Sequence, residues 1–309
     1  MGLNPNALRF LAREFKNGNR FTRTAMIGRQ GVHVTATQLE QILNVEFKLN
    51  LPSHKVHQAH SASYADELFR LLGASIVHSF DYSNYEGATY IHDFNEPIPT
   101  KYKAHYSFVV DGGTLEHVFQ FPTALKNCME LLEIGGVYFG VTPANNEMGH
   151  GFYQFSPELY FRAFSAQNGF HVDGIWLYEG RESPVWLKVS DPDTIHRRAE
   201  KVNSRSTYML VRATKIAQTQ IFSQPPLQSD YVAAWSDVKK IRCYKNENAK
   251  LFGIAVSLWR HVGRLVPFSL KRSIVVSAVW IREKLKRTKI ILGIDIDKVI
   301  YQKFDPTSD

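Results

Sequence analysis

Residues 105–118 of this 309-residue chain, H-Y-S-F-V-V-D-G-G-T-L-E-H-V, give the clearest indication of its fold. It begins as an apolar run of Val and Phe and ends on Asp111, which Gly112 and Gly113 follow. A near-continuous apolar run that ends on a polar side chain is typical of a buried parallel strand. Open α/β sheets bind their ligands at the carboxyl ends of such strands. We therefore expect residues 111–118 to form the floor of a binding site.

Strand and helix patterns alternate along the first 215 residues. Seven apolar runs read as strands, and two of them end on the acids Asp81 and Asp93. Apolar residues at helical spacing separate these runs, so the pattern predicts an α/β fold: a Rossmann-like, mostly parallel seven-stranded sheet with helices on both faces. The strands are predicted at residues 22–30, 74–81, 88–93, 106–111, 137–141, 170–177 and 207–213, the helices at 5–16, 35–47, 61–72, 121–132 and 156–167, and polar segments at 48–60 and 183–205.

The composition is that of a folded protein, with 44% hydrophobic and 21% charged residues. The only cysteines are Cys128 and Cys243, which excludes a disulfide scaffold and indicates a reducing compartment. The first residues show no signal-peptide pattern, and the chain has no apolar run of about 18 residues that would span a membrane. We expect a cytoplasmic protein.

The C-terminal segment differs from the rest of the chain in charge. Residues 231–309 contain 16 Lys and Arg against 7 Asp and Glu, whereas residues 1–230 are almost neutral. We divide the chain into a domain at 1–220 and a basic helical extension at 221–309. Residues 249–288 combine apolar and basic faces, which suits a membrane surface, packing on the main body or contact with a second subunit of a homo-oligomer. No recognition motif or set of interleaved aromatic residues indicates nucleic-acid binding.

The order of the motifs resembles the class I S-adenosylmethionine-dependent methyltransferase family over about residues 20–215. The strands that end in Asp81 and Asp93 precede F-V-V-D-G-G-T-L-E-H-V (108–118), then a helix, then G-G-V-Y-F-G-V-T-P (135–143). The segment H-G-F-Y-Q-F-S-P-E-L-Y (150–160) is similar to one that follows the fifth strand in bacterial methyltransferase-like proteins. The resemblance implies S-adenosylmethionine as cofactor and methyl transfer to an oxygen or nitrogen of a small molecule or glycan.

The resemblance also implies which residues contact the cofactor. Asp81 matches the family's acid that accepts both ribose hydroxyls, a role that suits a carboxylate with two acceptor oxygens. Asp93 matches the acid that binds the adenine amino group, and Phe94 would cover the adenine face. Further contacts are implied from the loop after the first strand and from the stretch beside the methionine moiety, namely Gly28, Gln30, Asp111, Gly112 and Gly113.

Three residues are candidates for contact with the methyl acceptor. His117 lies, by the same resemblance, near the methyl-transfer site, where an imidazole of near-neutral pKa can take a proton from a hydroxyl. His150 and Tyr153 follow the fifth strand, where a loop can cover the substrate. The structural alternative is a helix-start histidine bonded to backbone for His117 and an ordinary turn for the other two. A base is not strictly required, because the sulfonium is already activated and positioning supplies much of the rate.

The loop after the first strand departs from the family pattern. It reads M-I-G-R-Q-G (26–31), with one glycine where the first of several is expected, and without the usual acid. Arg29 would put a positive side chain near a positive sulfonium. The alternative hypothesis is therefore a non-catalytic methyltransferase-like binding or scaffold protein that has lost the cofactor. A nicotinamide-dependent enzyme is disfavoured because Gly-x-Gly-x-x-Gly is absent after the first strand.

A metal site is not predicted. His54, His57 and His60 lie three residues apart, and neutral imidazoles bind metals, but no cysteine or acid completes the set. A solvated loop or helix end is the favoured explanation of this spacing.

Overall fold

The computed structural model describes residues 2–19, 21–180, 183–196, 198–236 and 301–307. Its framework consists of a two-stranded sheet and a nine-stranded sheet, with helices on both faces of the larger one. The strands are β1 Gly2–Leu3, β2 Arg23–Ile27, β3 Gly31–Val32, β4 Ile76–Asp81, β5 Tyr90–Ile91, β6 Tyr106–Asp111, β7 Leu132–Asn145, β8 Phe170–Glu179, β9 Trp186–Val189, β10 Thr207–Lys215 and β11 Tyr301–Phe304. The α-helices are α1 Pro5–Lys16, α2 Ala36–Glu40, α3 Ser53–Ser61, α4 Asp66–Leu71, α5 Phe121–Leu131, α6 Pro157–Ala163, α7 Pro192–Ile195 and α8 Ser229–Ser236.

The large sheet has the order β11-β9-β8-β10-β7-β6-β2-β4-β5. Strands β5, β4, β2, β6 and β7 pair in parallel, and the remaining pairs are antiparallel. As a result β9 and β10 run against the other seven strands, so the predicted mostly parallel α/β sheet is confirmed. Because β6 lies between β2 and β7, its carboxyl end is near the middle of the parallel part.

The predicted number of seven strands is wrong, because two further strands extend one edge of the sheet. β9 lies inside the polar segment 183–205, where Trp186, Leu187 and Val189 are buried. β11 pairs with β9 and belongs to the segment predicted as a helical extension. The ring of Phe304 in β11 stacks on that of Trp186, with ring centroids 5.9 Å apart. Strands of four residues carry too short an alternation to be distinguished from a loop.

Both faces of the large sheet are covered by apolar residues. On β6, Val109 faces the cluster that contains α5, whereas Phe108 and Val110 face the cluster that contains α1. Phe10 of α1 stacks on Phe139 of β7 with ring centroids 3.9 Å apart and planes nearly parallel. This contact fixes α1, and with it the N-terminal segment, against the centre of the sheet.

Capping residues explain where several helices begin. Asn4 accepts hydrogen bonds from two backbone amides of α1, and Pro5 fits the first helical position. The capping box at Thr35 is confirmed, and α2 continues into a π-helical stretch at Gln41–Glu46. The polar segment 48–60 is mostly helical, because Val56 and Ala59 give α3 a narrow buried face, and α3 ends at Ser61. The helix predicted at 61–72 is therefore shorter and begins at Asp66.

Among the described residues, no helix is long and apolar enough to cross a membrane. The predicted membrane or subunit contact at residues 249–288 lies outside the described residues. The division of the chain at residue 220 therefore stays a prediction.

We expect Phe10→Ala to lower the free energy of unfolding by about 3–5 kcal/mol, because it removes a fully buried ring from a close-packed contact. Urea denaturation measures this change. The matched control is Phe119→Ala, whose ring is 64% exposed and should cost less than about 0.5 kcal/mol. Equal losses in the two variants would contradict the packing described here.

Candidate functional site

The turn after β6 is held by the buried carboxylate of Asp111. Its Oδ1 accepts the backbone N–H groups of Thr114 at 2.8 Å and Leu115 at 3.4 Å. The Thr114 hydroxyl in turn donates to the carbonyl oxygen of Ile27, at 2.5 Å, so the ends of β2 and β6 are tied together. Gly113 adopts a φ of +95°, which other residues rarely tolerate. The chain therefore makes a tight turn, and Glu116 and His117 follow directly after it.

A second loop, residues 146–153, packs onto this turn. The backbone amides of Phe152 and Tyr153 both donate to the carbonyl oxygen of Glu116, at 2.9 and 3.2 Å. A Cβ at Gly151 would lie 2.9 Å from that same oxygen and 3.1 Å from Nδ1 of His117, so this close approach depends on glycine. The two loops thereby bring the rings of His117 and His150 to a centroid distance of 5.2 Å.

These loops form one wall of a cavity of about 320 Å³ at the carboxyl end of β6. His117 and His150, both predicted from the sequence, line it together with Glu116. The N-terminal segment and strand β10 complete it with residues that the sequence did not single out. The lining residues are Gly2, Asn4, Pro5, His33, Gln38, Gly112, Gly113, Glu116, His117, Val141, Thr142, Pro143, His150 and Tyr208.

Charged and titratable groups are concentrated at the floor of this cavity. Glu116 is almost fully buried, and its Oε2 has no hydrogen-bond partner in the described structure. Burial raises the pKa of Glu116, and the nearby carboxylate of Asp111 raises it further. Burial and the neighbouring ring of His150 lower the pKa of His117. A neutral imidazole at residue 117 is thus favoured near neutral pH, and a neutral imidazole can accept a proton or bind a metal.

Glu116, His117 and His150 also form a group of potential metal ligands. Their oxygen and nitrogen atoms lie within 4.8 Å of one another. It is the one such group among the described residues. The three histidines of α3 are not gathered in this way: His57 pairs with Glu40 at 2.9 Å, and His60 bonds to the carbonyl oxygen of Val34.

Tyr153 lies outside the wall of the cavity. Its hydroxyl donates to the carbonyl oxygen of Phe119 at 2.7 Å, and its ring contacts Phe121 and Phe155. The structure thus assigns Tyr153 to the packing of the loop beside the cavity.

Asp81 lies at the carboxyl end of β4, two strands from β6, and is partly exposed. Its carboxylate accepts the amides of Arg29 and Ser83, both at 3.4 Å. The Arg29 side chain turns away from Gly112: it pairs with Asp66 at 3.3 Å and donates to two carbonyl oxygens of the 82–87 turn. Since both bonds to Asp81 are long, its oxygens keep the capacity to accept further donors.

Gln30 fills the space between β2 and the β6 turn. It is fully buried, and its Nε2 donates to the carbonyl oxygen of Ile27 and to Thr114 Oγ1. Its Oε1 has no partner in the described structure, and a Cβ at Gly112 would lie only 2.3 Å from that oxygen. The Gln30 side chain therefore occupies the space that a side chain at residue 112 would take. Gly28, with a φ of +70°, begins this loop and donates its amide to Phe80 of β4.

Asp93 and Phe94 belong to a loop whose backbone is hydrogen-bonded to α5. Asp93 accepts the backbone and side-chain N–H groups of Asn95, whereas the Phe94 ring is buried against Phe80. Asn127 of α5 accepts the amide of Ile98 at 2.8 Å and donates to two carbonyl oxygens of the loop. Phe94 is thus part of the core, while Asp93 stays partly exposed beside it.

No family model matches the chain, and no curated protein matches it. Among solved structures, the chain is similar to a branched-chain polyamine synthase mutein from Thermus thermophilus in complex with N4-aminopropylspermidine and 5'-methylthioadenosine, at 12% identity and a TM-score of 0.38. That match covers 74% of this chain and 60% of the synthase, so the chain spans three fifths of its length.

Two further solved structures show the same level of similarity. An S-adenosylmethionine-dependent methyltransferase from Methanosarcina mazei matches at 11% identity and a TM-score of 0.36, over 65% of this chain and 96% of that one. The [4+2]-cyclase SpnF matches at 14% identity and a TM-score of 0.37, over 68% and 80%. Similarities at this level assign no activity to the chain.

Replacing Asn127 tests how the Asp93 loop is held. We expect Asn127→Ala to lower the free energy of unfolding by about 2–4 kcal/mol, because it leaves buried backbone groups of residues 94–98 without partners. The neighbouring substitution Lys126→Ala should cost less than about 0.5 kcal/mol. Thermal and urea unfolding measure both. A loss for Asn127→Ala as small as that for the control would contradict this role.

Proposed function

We propose that this protein transfers a methyl group from S-adenosylmethionine to an oxygen or nitrogen of a small molecule or glycan. The observation that carries the proposal is the position of the cavity. It opens beside Gly112 and Gly113 at the carboxyl end of β6, with Glu116 and His117 in its wall. In open α/β sheets this edge is where ligands bind.

The nucleoside half of the cofactor suits the residues on one side of this edge. Asp81 has acceptor capacity left on both oxygens, as a cis-diol requires. Asp93 lies on the next loop and retains an oxygen that accepts no bond from Asn95. Arg29, whose charge would oppose a sulfonium, is paired with Asp66 and directed away.

The methionine half of S-adenosylmethionine would have to contact Gln30. The unpaired Oε1 of Gln30 is a buried acceptor directed at Gly112, and an ammonium group is a donor that would satisfy it. Binding there requires the Gln30 side chain to shift from Gly112, because the two are in contact without any ligand.

The acceptor would lie in the cavity, and the chain's own groups would handle its proton. S-adenosylmethionine supplies an activated methyl group when bound. A neutral His117 can take the proton of an acceptor hydroxyl or ammonium at a ring nitrogen. The raised pKa of Glu116 favours its protonated form, which can donate a hydrogen bond to an acceptor oxygen.

One observation favours the second candidate, a non-catalytic binding protein on the same fold. Gln30 is fixed by hydrogen bonds to Ile27 and Thr114, and Leu3 would lie 3.4 Å from a Cβ at Gly112. These side chains close the space above Gly112. In this case the cavity binds its ligand without the cofactor.

Calorimetry with S-adenosylhomocysteine tests the proposal. We expect binding at or below millimolar concentration, and we expect Asp81→Ala to weaken it at least about tenfold, or ~1.4 kcal/mol, because the ribose loses its acceptor. The matched control is Asp193→Ala, a 60% exposed acid on α7 that should leave binding unchanged. Absence of binding of both S-adenosylmethionine and S-adenosylhomocysteine at millimolar concentration would contradict methyl transfer.

Gln30→Ala separates the two candidates. If Gln30 contacts the methionine moiety, the substitution weakens binding of S-adenosylhomocysteine several-fold, because the moiety loses an acceptor. If Gln30 closes the space, the same substitution opens it, and binding appears or becomes tighter. The proposed enzyme predicts the first result, and the second would favour the non-catalytic candidate.

A further inference from the structure

We infer that Glu116, His117 and His150 form a binding site for a divalent transition-metal ion at the floor of the cavity. The three residues offer one carboxylate and two imidazoles, and their ligand atoms lie within 4.8 Å of one another. This donor set occurs at catalytic zinc sites and at non-haem iron sites, where the remaining positions are open to water or substrate.

The distances suit a metal after small movements. Tetrahedral zinc with bonds of about 2.0–2.1 Å places its ligand atoms roughly 3.3 Å apart. Glu116 Oε1 and His150 Nε2 are already 3.4 Å apart. The rings of His117 and His150 both reach the surface of the cavity, so they can rotate by the remaining distance.

A second, independent feature points to a positive ligand. Glu116 is 1% exposed, and its Oε2 has no hydrogen-bond partner in the described structure. A buried polar atom without a partner is unfavourable. Among the described residues, no Lys or Arg lines the cavity. A cation bound in place of the carboxyl proton would pair with this buried group.

A carboxylate lies near the other nitrogen of the His150 ring, at a distance longer than a hydrogen bond. The Nε2 of this ring faces Glu116, and its Nδ1 faces a carboxylate oxygen of Glu147 at 3.9 Å. Glu147 is itself held by the hydroxyl of Tyr208 and, through its amide, by Gln154. A histidine that binds a metal usually gives its other N–H to such a carboxylate, which fixes the tautomer and the ring.

The site goes beyond methyl transfer and does not require it, and His117 acts as a ligand instead of a base when an ion is bound. An ion held by three side chains from two adjacent loops would leave positions open toward the cavity. A small molecule with an oxygen donor, such as a hydroxyl or carboxylate, would be held there. Metal binding alone tests the site, so its failure would not decide whether the protein binds S-adenosylhomocysteine.

Titration of the untagged, metal-free full chain with ZnCl₂ tests the inference, with CoCl₂ as a second probe. We expect one tight site per chain, and visible absorption of bound Co²⁺ typical of low coordination. Glu116→Gln and His150→Ala should weaken Zn²⁺ binding about 100-fold or more, whereas Glu147→Gln should weaken it about tenfold. His57→Ala, which removes an exposed histidine paired with Glu40, should change it less than twofold.

The same series contains the results that would overturn the site. The site would be wrong if Glu116→Gln bound Zn²⁺ within twofold of the unchanged protein. It would also be wrong if His57→Ala lost Zn²⁺ binding. The third such result is that the unchanged protein binds neither Zn²⁺ nor Co²⁺ at micromolar concentration. Circular dichroism of each variant distinguishes lost folding from lost binding. A variant that does not fold is replaced by His117→Gln, for which we expect the same 100-fold loss.

Discussion

The carboxylate of Asp111 is the interaction on which the site depends. It is fully buried at the end of β6, where burial raises its pKa and hydrogen bonds from Thr114 and Leu115 oppose that shift. Those bonds force the chain to turn at the strand end. Thr114 then reaches back to Ile27 of β2, so the turn is fixed to both central strands. This turn places Gly112, Gly113, Glu116 and His117.

The turn separates two chemical environments. Toward β2 and β4 lie Gln30 and Asp81, where acceptor oxygens remain available. Toward β7 lies the cavity with Glu116, where a buried carboxylate faces two imidazoles. The N-terminal segment joins them, since the amide of Gly2 donates to the carbonyl oxygen of Gly112 and Gly2 also lines the cavity. A donor molecule and its acceptor could thus approach Gly112 from opposite sides.

The sequence predicts the elements with long periodic patterns and misses those fixed by tertiary contacts. The bounds of α1 and β6 follow directly from helical spacing and from a continuous apolar run. Strand β11 could not be predicted, because it exists through pairing with β9, which lies more than a hundred residues earlier in the chain, and through the contact of Phe304 with Trp186. His117 and His150 could be named from the motifs. Their convergence on Glu116 could not, because it arises from two backbone bonds between loops. Asn4 and Tyr208 could not be predicted as lining residues of the cavity either. They come from distant parts of the chain, and no neighbouring motif places them there.

We propose that the edge between β4 and β6 holds a nucleoside while the cavity beside it holds the acceptor. A crystal structure of the protein with S-adenosylhomocysteine tests this proposal. We expect density between Gly28 and Asp111, with both ribose hydroxyls about 3 Å from Asp81, Gln30 moved from Gly112, and the sulfur facing Glu116. Gln30 and Leu3 still packed on Gly112 at saturating ligand, with no density along that edge, would contradict it.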